Sequence, residues 1–178
     1  MTSLDQEVSI RKSVSLHLRV WKDVFDSLES EAKIHRISVN SLSNQVLSRH
    51  TRDEMELGEV GYVEMTKDAY RAMLDLVPDD KLTECGRLTT KPGVEALMVA
   101  RNGPMTIDSV LDILRLSSRI GWFSLKESRD KGKKTICLLH DLGPRQSAVF
   151  AGSMSTLFSL VGIRPKVSTT DSSVMIEY

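Results

Sequence analysis

The feature that most constrains the fold is a short alternating segment near the N-terminus, followed directly by two helical patterns. Over Ser13–Val20, polar residues alternate with valine and leucine, which predicts a half-exposed β-strand. Apolar residues then recur at helical spacing in two runs, at Val24, Phe25, Leu28 and Ala32 and at Val39, Leu42, Val46 and Leu47. The predicted order is β-α-α, with a single strand.

A lone strand cannot satisfy its own backbone, and a module of about 45 residues buries too little apolar surface to be stable by itself. The simplest remedy is a second copy of the chain. Two strands then pair antiparallel across a two-fold axis, above four interlocked helices. Leu16, Leu18 and Val20 would face the shared core. We therefore expect a homodimer.

The polar side of such a ribbon is suited to DNA. A two-stranded ribbon fits the major groove, where base edges present distinct donors and acceptors. Arg19 is able to pair bidentately with guanine, and Ser15 and His17 are able to donate or accept. We predict that Ser15, His17 and Arg19 read bases in double-stranded DNA.

Phosphate contacts are expected from the start of the second helix. Ser38 is placed as its N-cap, and the free amides of a helix N-terminus attract phosphate. Lys12, Ser38, Asn40 and Ser41 are the predicted phosphate-binding residues. Residues 10–52 hold eight basic and four acidic residues, a net charge of +4 in a chain of zero net charge. This asymmetry favours contact between the N-terminal part and phosphate.

The spacing over Val14–Leu47 resembles the ribbon-helix-helix (Arc/MetJ/CopG-like) family of repressors and antitoxins. The match consists of alternation ending at Val20, then Val24-Phe25-x-x-Leu28-x-x-x-Ala32, Ile37-Ser38-x-Asn40, Leu42 and Val46-Leu47. The resemblance covers about a fifth of the chain. It implies an intertwined β-α-α dimer whose strand residues read bases and whose second helix begins at a phosphate. In two departures, Arg36 stands where the family usually has a left-handed glycine, and Ser43 where a larger apolar residue is common.

The remaining sequence predicts a second, α+β domain over residues 60–178, after a ribbon-helix-helix module over 10–54. The second helix should fade around Thr51–Glu56, and the acidic segment Arg52–Glu59 suggests a boundary. A short strand is predicted at Tyr62–Met65. Helices are predicted at Asp68–Leu76, Val94–Arg101 and Thr106–Ile120, with Asp79–Gly93 left unassigned.

The last part predicts β-β-α-β-β, an antiparallel sheet backed by a helix. The strands are expected at Trp122–Glu127, Lys134–His140, Ile163–Thr169 and Val174–Tyr178, around a helix that runs from Gly143-Pro144 to Val161. This helix has a second face of small residues, which permits close approach of another element: Ala148, Ala151, Gly152, Ser155 and Ser159. The fold class is therefore α+β.

Other classes of function are disfavoured. His35, His50, His140, Cys85 and Cys137 form no ligand-spaced motif, so no metal or cofactor is expected. A turn at His140–Ser147 could bind an anion, but no nucleophile–base–orienter set predicts an enzyme. The apolar runs are too short to cross a membrane, and the first residues do not resemble an export signal, which suggests the cytoplasm.

The sequence thus predicts a homodimeric, sequence-specific transcriptional regulator, and leaves open whether dimers pair into tetramers. The C-terminal domain would serve oligomerisation or the sensing of a small-molecule or protein effector. Alternatives are an antitoxin-like protein that binds a protein partner through that domain, a small-molecule sensor, and an ordinary strand-helix-helix segment within a larger α+β core.

Overall fold

The computed structural model describes residues 14–130 and 132–178. They form an α+β fold with a four-stranded antiparallel sheet, which confirms the predicted fold class. The chain divides into two compact units between Leu47 and Ser48. The N-terminal unit contains α1, Lys22–His35, and most of α2, Val39–Arg49.

The second helical pattern does not end where the sequence suggested. A π-helical turn, His50–Glu54, and α3, Met55–Glu59, follow α2 directly. Asp53 explains the difference, because its side chain is 2% exposed and pairs with Arg119, with 2.9 Å between Oδ1 and Nη2. A buried carboxylate needs such a charged partner. The acidic run is therefore part of a packed helical segment.

Between α3 and the sheet the chain forms three longer helices: α4, Lys67–Asp75, α5, Leu82–Arg101, and α6, Ile107–Arg119. A 3₁₀ turn, Asp79–Lys81, precedes α5. The hydroxyl of Thr66 accepts a hydrogen bond from the Ala69 amide at 3.2 Å and caps α4. Thr106 caps α6 in the same way, through the Ser109 amide at 3.2 Å. Both helices agree with the predictions.

Helix α5 has 20 residues, whereas the prediction over Val94–Arg101 has about eight, because the helix continues through Pro92. Proline removes one helical hydrogen bond, the one that the Leu88 carbonyl would accept. Leu88 is 67% exposed, so its carbonyl lies on the water-facing side. Buried residues on both sides of the proline, Leu82, Val94 and Leu97, anchor the helix. Tertiary packing therefore outweighs the local preference for a break.

The sheet contains β1, Ser124–Asp130, β2, Lys133–Leu139, β3, Lys166–Thr169, and β4, Ser173–Glu177, in the order β1-β2-β4-β3. Helix α7, Pro144–Ser159, connects β2 to β3. The predicted β-β-α-β-β order is thus confirmed. The short strand predicted at Tyr62–Met65 is wrong, since these residues hold no regular structure.

One face of the sheet forms the core with α7. Ile136 and Leu138 of β2 stand opposite Ile176 and Val174 of β4, and all four are buried. From α7, Phe150, Met154, Leu157 and Phe158 join this cluster. Alternate residues of a strand share one face of the sheet, and residues three or four apart share one face of a helix, so these side chains face each other.

The opposite side of α7 packs closely against α5. A Cβ atom built on Gly152 would lie 1.9 Å from the Thr83 carbonyl oxygen, and one on Gly86 would lie 1.9 Å from that of Val149. The two glycines therefore let the helix backbones touch. Of the small-residue face predicted on α7, Gly152 serves this helix packing.

No helix among residues 14–130 and 132–178 combines the length and the apolar content required to cross a bilayer.

Candidate nucleic-acid interface

The segment that precedes α1 holds the predicted base-reading residues. Residues 14–21 contain neither helix nor strand, so the predicted strand is absent from the single chain. A ribbon strand exists only when a second strand supplies its hydrogen bonds, and all four strands of the described chain lie between Ser124 and Glu177. The side chains of Ser15, His17 and Arg19 are exposed. Lys12 lies outside the described residues.

The apolar residues of the same segment are also exposed. Val14 is 89% exposed, Leu16 66% and Leu18 60%, and Val20 and Trp21 are exposed as well. Four apolar side chains of α1 and α2 are exposed as well, namely Val24, Phe25, Val46 and Leu47. Two others, Ala32 and Leu42, are buried. We call Val14, Leu16, Leu18, Val20, Val24, Phe25, Val46 and Leu47 the apolar patch. Eight exposed apolar side chains within 34 residues are more than an isolated globular unit usually leaves open, and we interpret them as an interaction surface.

The connection between α1 and α2 has the geometry that the resemblance implies. Arg36 adopts a left-handed conformation, with φ 54° and ψ 40°. The Ile37 amide donates to the Ala32 carbonyl at 3.0 Å, and the Arg36 amide donates to Lys33 at 3.2 Å, which closes the end of α1. The turn is therefore built by a residue with a side chain where glycine would be unstrained.

Ser38 begins α2 as its N-cap, as predicted. Its hydroxyl oxygen accepts from the Ser41 amide at 3.0 Å and its hydroxyl donates to the Ser41 hydroxyl oxygen at 2.9 Å. The side chains of Ser38, Asn40 and Ser41 are exposed. The structure thus brings these three predicted phosphate-binding residues together at one helix N-terminus, where the partial positive charge of the helix is concentrated.

Most charged side chains of α1 are paired within the helix. Lys22 binds Asp26 at 2.6 Å, Lys33 binds Glu29 at 3.1 Å, and His35 binds Glu31 at 2.9 Å. Within residues 14–47, Arg19 and Arg36 make no ion pair. Both guanidinium groups are exposed, so within this range they are available to an anion. Sequence analysis missed Arg36 as a candidate contact, although its position next to Ser38 was a signal.

The turn between β2 and α7 is held together by hydrogen bonds of the protein's own side chains. The Leu142 amide donates to Nδ1 of His140 at 3.3 Å, so Nε2 carries the ring proton and donates to the Ser147 hydroxyl oxygen at 3.0 Å. His140 and Ser147 are buried. Asp141 binds Lys67 at 2.8 Å, which lowers the pKa of the carboxyl group, chiefly through this hydrogen bond. We assign this turn a structural role.

Residues suited to metal binding do not converge in the described part of the chain. His35 and His50 each contact a glutamate one helical turn away, at 2.9 Å. Cys85 and Cys137 are free and half-buried. Residues 14–130 and 132–178 contain no group of three histidine, cysteine or acidic side chains arranged to hold an ion.

No protein-family model matches this sequence, and no curated protein matches it significantly. The functional interpretation therefore rests on the residues and their geometry.

Proposed function

We propose that this protein is a homodimeric, sequence-specific DNA-binding transcriptional regulator of the cytoplasm, built on a ribbon-helix-helix module. The observation that carries the proposal is the apolar patch. Leu16 and Leu18 are more than half exposed in the single chain, whereas an ordinary strand-helix-helix segment of a larger core would bury them. A second copy would remove this surface from water and supply the missing strand.

The ribbon formed in this way would place six polar side chains on one surface. Ser15, His17 and Arg19 alternate with the leucines of the patch, so they would project from the opposite face of the ribbon. Arg19 has no ion-pair partner within residues 14–47, so its guanidinium keeps its donors for a guanine edge.

Register on the duplex would come from phosphate contacts at the N-terminus of α2. Ser38, Asn40 and Ser41 present polar side chains there, and Arg36 adds a positive charge two residues before the cap. Such contacts position a protein on DNA without reading its sequence. The C-terminal unit would then serve oligomerisation or effector sensing.

Selection of bound DNA from a random pool tests the class of function. A palindromic consensus is expected, because a two-fold dimer reads two equivalent half-sites. Failure to enrich any sequence, by a protein shown to be folded, would contradict the proposal.

Substitution of Arg19 tests the ribbon directly. Arg19→Ala should weaken binding to the selected DNA by about 1–3 kcal/mol per contacted guanine. Fluorescence anisotropy at fixed salt measures the effect. Arg129→Ala is the matched control, because it removes an exposed guanidinium from a strand of the C-terminal unit. Equal affinities of the two variants would remove the ribbon from the mechanism.

A further inference from the structure

Helices α5, α6 and α7 line a cavity in the C-terminal unit that is open to solvent and that the proposed DNA-binding module does not use. Its volume is about 360 Å³, within the range of pockets that hold small molecules. Val94, Ile113, Leu114 and Met154 provide part of its apolar wall.

Aromatic side chains form the rest of the wall in two edge-to-face pairs. Tyr70 and Trp122 have ring centroids 5.0 Å apart, and Phe123 and Phe150 lie 5.4 Å apart. All four rings line the cavity. Fixed rings of this kind present flat surfaces that complement a planar, apolar ligand.

Gln146 is the decisive residue, because it is polar and only 1% exposed. Its Oε1 accepts a hydrogen bond from the Tyr70 hydroxyl at 2.7 Å. Burial raises the pKa of the Tyr70 phenol, so the hydroxyl keeps its proton and remains the donor at neutral pH. The Gln146 amide nitrogen has no hydrogen-bond partner within residues 14–130 and 132–178, although the side chain lines the cavity. This amide nitrogen is therefore available to donate a hydrogen bond to an acceptor on a ligand in the cavity.

The side chains that line the cavity also indicate that its ligand is uncharged. Every residue that lines the cavity has an uncharged side chain, including Thr89, Thr90, Ser117 and Ser153. A charged ligand would lose its hydration without gaining a counter-charge.

We infer that this cavity binds a neutral, largely apolar small molecule that presents a hydrogen-bond acceptor, such as a carbonyl oxygen, to the Gln146 amide. The inference stands independently of the DNA-binding proposal, because its residues all belong to the C-terminal unit.

Prodan, a neutral naphthalene dye with a ketone carbonyl, is a suitable probe for the full chain. Saturable binding should enhance the dye's fluorescence and shift it to the blue. Gln146→Met keeps the length of the side chain but removes the amide, and should weaken binding about five- to ten-fold, the effect of one lost hydrogen bond. Emission of the dye bound to this variant should move further to the blue, because its carbonyl loses a donor.

Ser117→Phe should abolish saturable binding by filling the cavity, while Ser128→Phe, which adds the same ring on exposed β1, should bind as the parent does. Circular dichroism verifies the fold of each variant. If Ser117→Phe does not fold, the inference is tested by the affinity of Gln146→Met for the dye and by the emission of the dye bound to that variant. No saturable binding to the parent chain, or binding unchanged in folded Ser117→Phe or in Gln146→Met, would overturn the inference.

Discussion

Arg36 carries a backbone conformation that its side chain disfavours. Among the described residues, only Arg36 and Asn102 combine a side chain with positive φ, at 54° and 47°. Asparagine tolerates the left-handed region because its short side chain bonds locally, whereas arginine has no such compensation. The exposed guanidinium of Arg36 next to the α2 N-terminus suggests that the strain is retained for phosphate binding.

Arg36→Gly should therefore stabilise the protein by about 1 kcal/mol and weaken its binding to DNA. Urea unfolding at one fixed protein concentration measures the first effect, and anisotropy measures the second. Asn102→Gly, the same change at the other left-handed position, should gain less stability. A less stable Arg36→Gly protein would show that the side chain makes contacts that outweigh the strain.

His140 is held neutral by its surroundings. Burial lowers its pKa below the ordinary value of 6.5, and the nearby charge of Asp141 opposes the shift. The unfolded chain therefore binds a proton more readily than the folded chain does. The stability that this histidine contributes is fully present above pH 6.5 and is lost as the pH falls through that value towards the folded pKa.

His140→Gln should flatten the loss of stability between neutral and mildly acidic pH, since glutamine does not titrate. Melting temperatures recorded across this window test the expectation. A parental slope in His140→Gln would place the titrating group elsewhere.

At the scale of elements, the crossing of α5 and α7 organises the C-terminal unit. Its two glycines are reciprocal: Gly86 lies against the backbone of Val149 and Ser153, and Gly152 against that of Thr83 and Arg87. Backbone atoms cannot rotate away as side chains do. Any Cβ at these positions must push the helices apart.

Gly152→Ala should cost at least about 2 kcal/mol of unfolding free energy, despite the higher helix propensity of alanine. Gly93→Ala is the matched control, because Gly93 lies in α5 and a Cβ there meets open space. It should stabilise by up to about 1 kcal/mol. Denaturant titration measures the unfolding free energy of both variants. Equal changes in Gly152→Ala and Gly93→Ala would contradict the close contact between α5 and α7.

At the scale of the whole molecule, the two units differ in how they bury apolar surface. The C-terminal unit has a core of its own between the sheet and α7, whereas most of the patch in the N-terminal unit is open. Under the proposed function, pairing with a second copy of the chain would bury the apolar patch and stabilise the N-terminal unit.

Leu16→Glu should therefore shift the dimer towards monomer, because a carboxylate would be buried in the shared core. Sedimentation velocity at several concentrations measures the mass. Leu88→Glu is the control, since Leu88 on α5 is exposed to the same degree, 67% against 66%. A dimer that persists in Leu16→Glu, or a parent chain that is monomeric at all concentrations, would contradict the proposed assembly.

Local patterns were enough to predict the sheet elements, α1, α4, α6 and α7, and the Ser38 cap. The predictions failed where residues far apart in the sequence determine the local structure. Asp53 is helical and buried because Arg119, far along the chain, pairs with it. The cavity went unnoticed because its lining comes from separate helices, although Gln146, one turn before the buried Val149 and Phe150, interrupts an apolar stripe.

The sequence alone determined what depends on neighbours a few residues apart: periodicity, caps, the turn at Arg36 and the alternation before α1, all set by short-range backbone geometry. Tertiary structure decided what depends on partners far along the chain. It carried α5 through Pro92, brought α5 and α7 together at Gly86 and Gly152, and placed Tyr70 beside Gln146. These outcomes depend on burial and close packing, which no local pattern specifies.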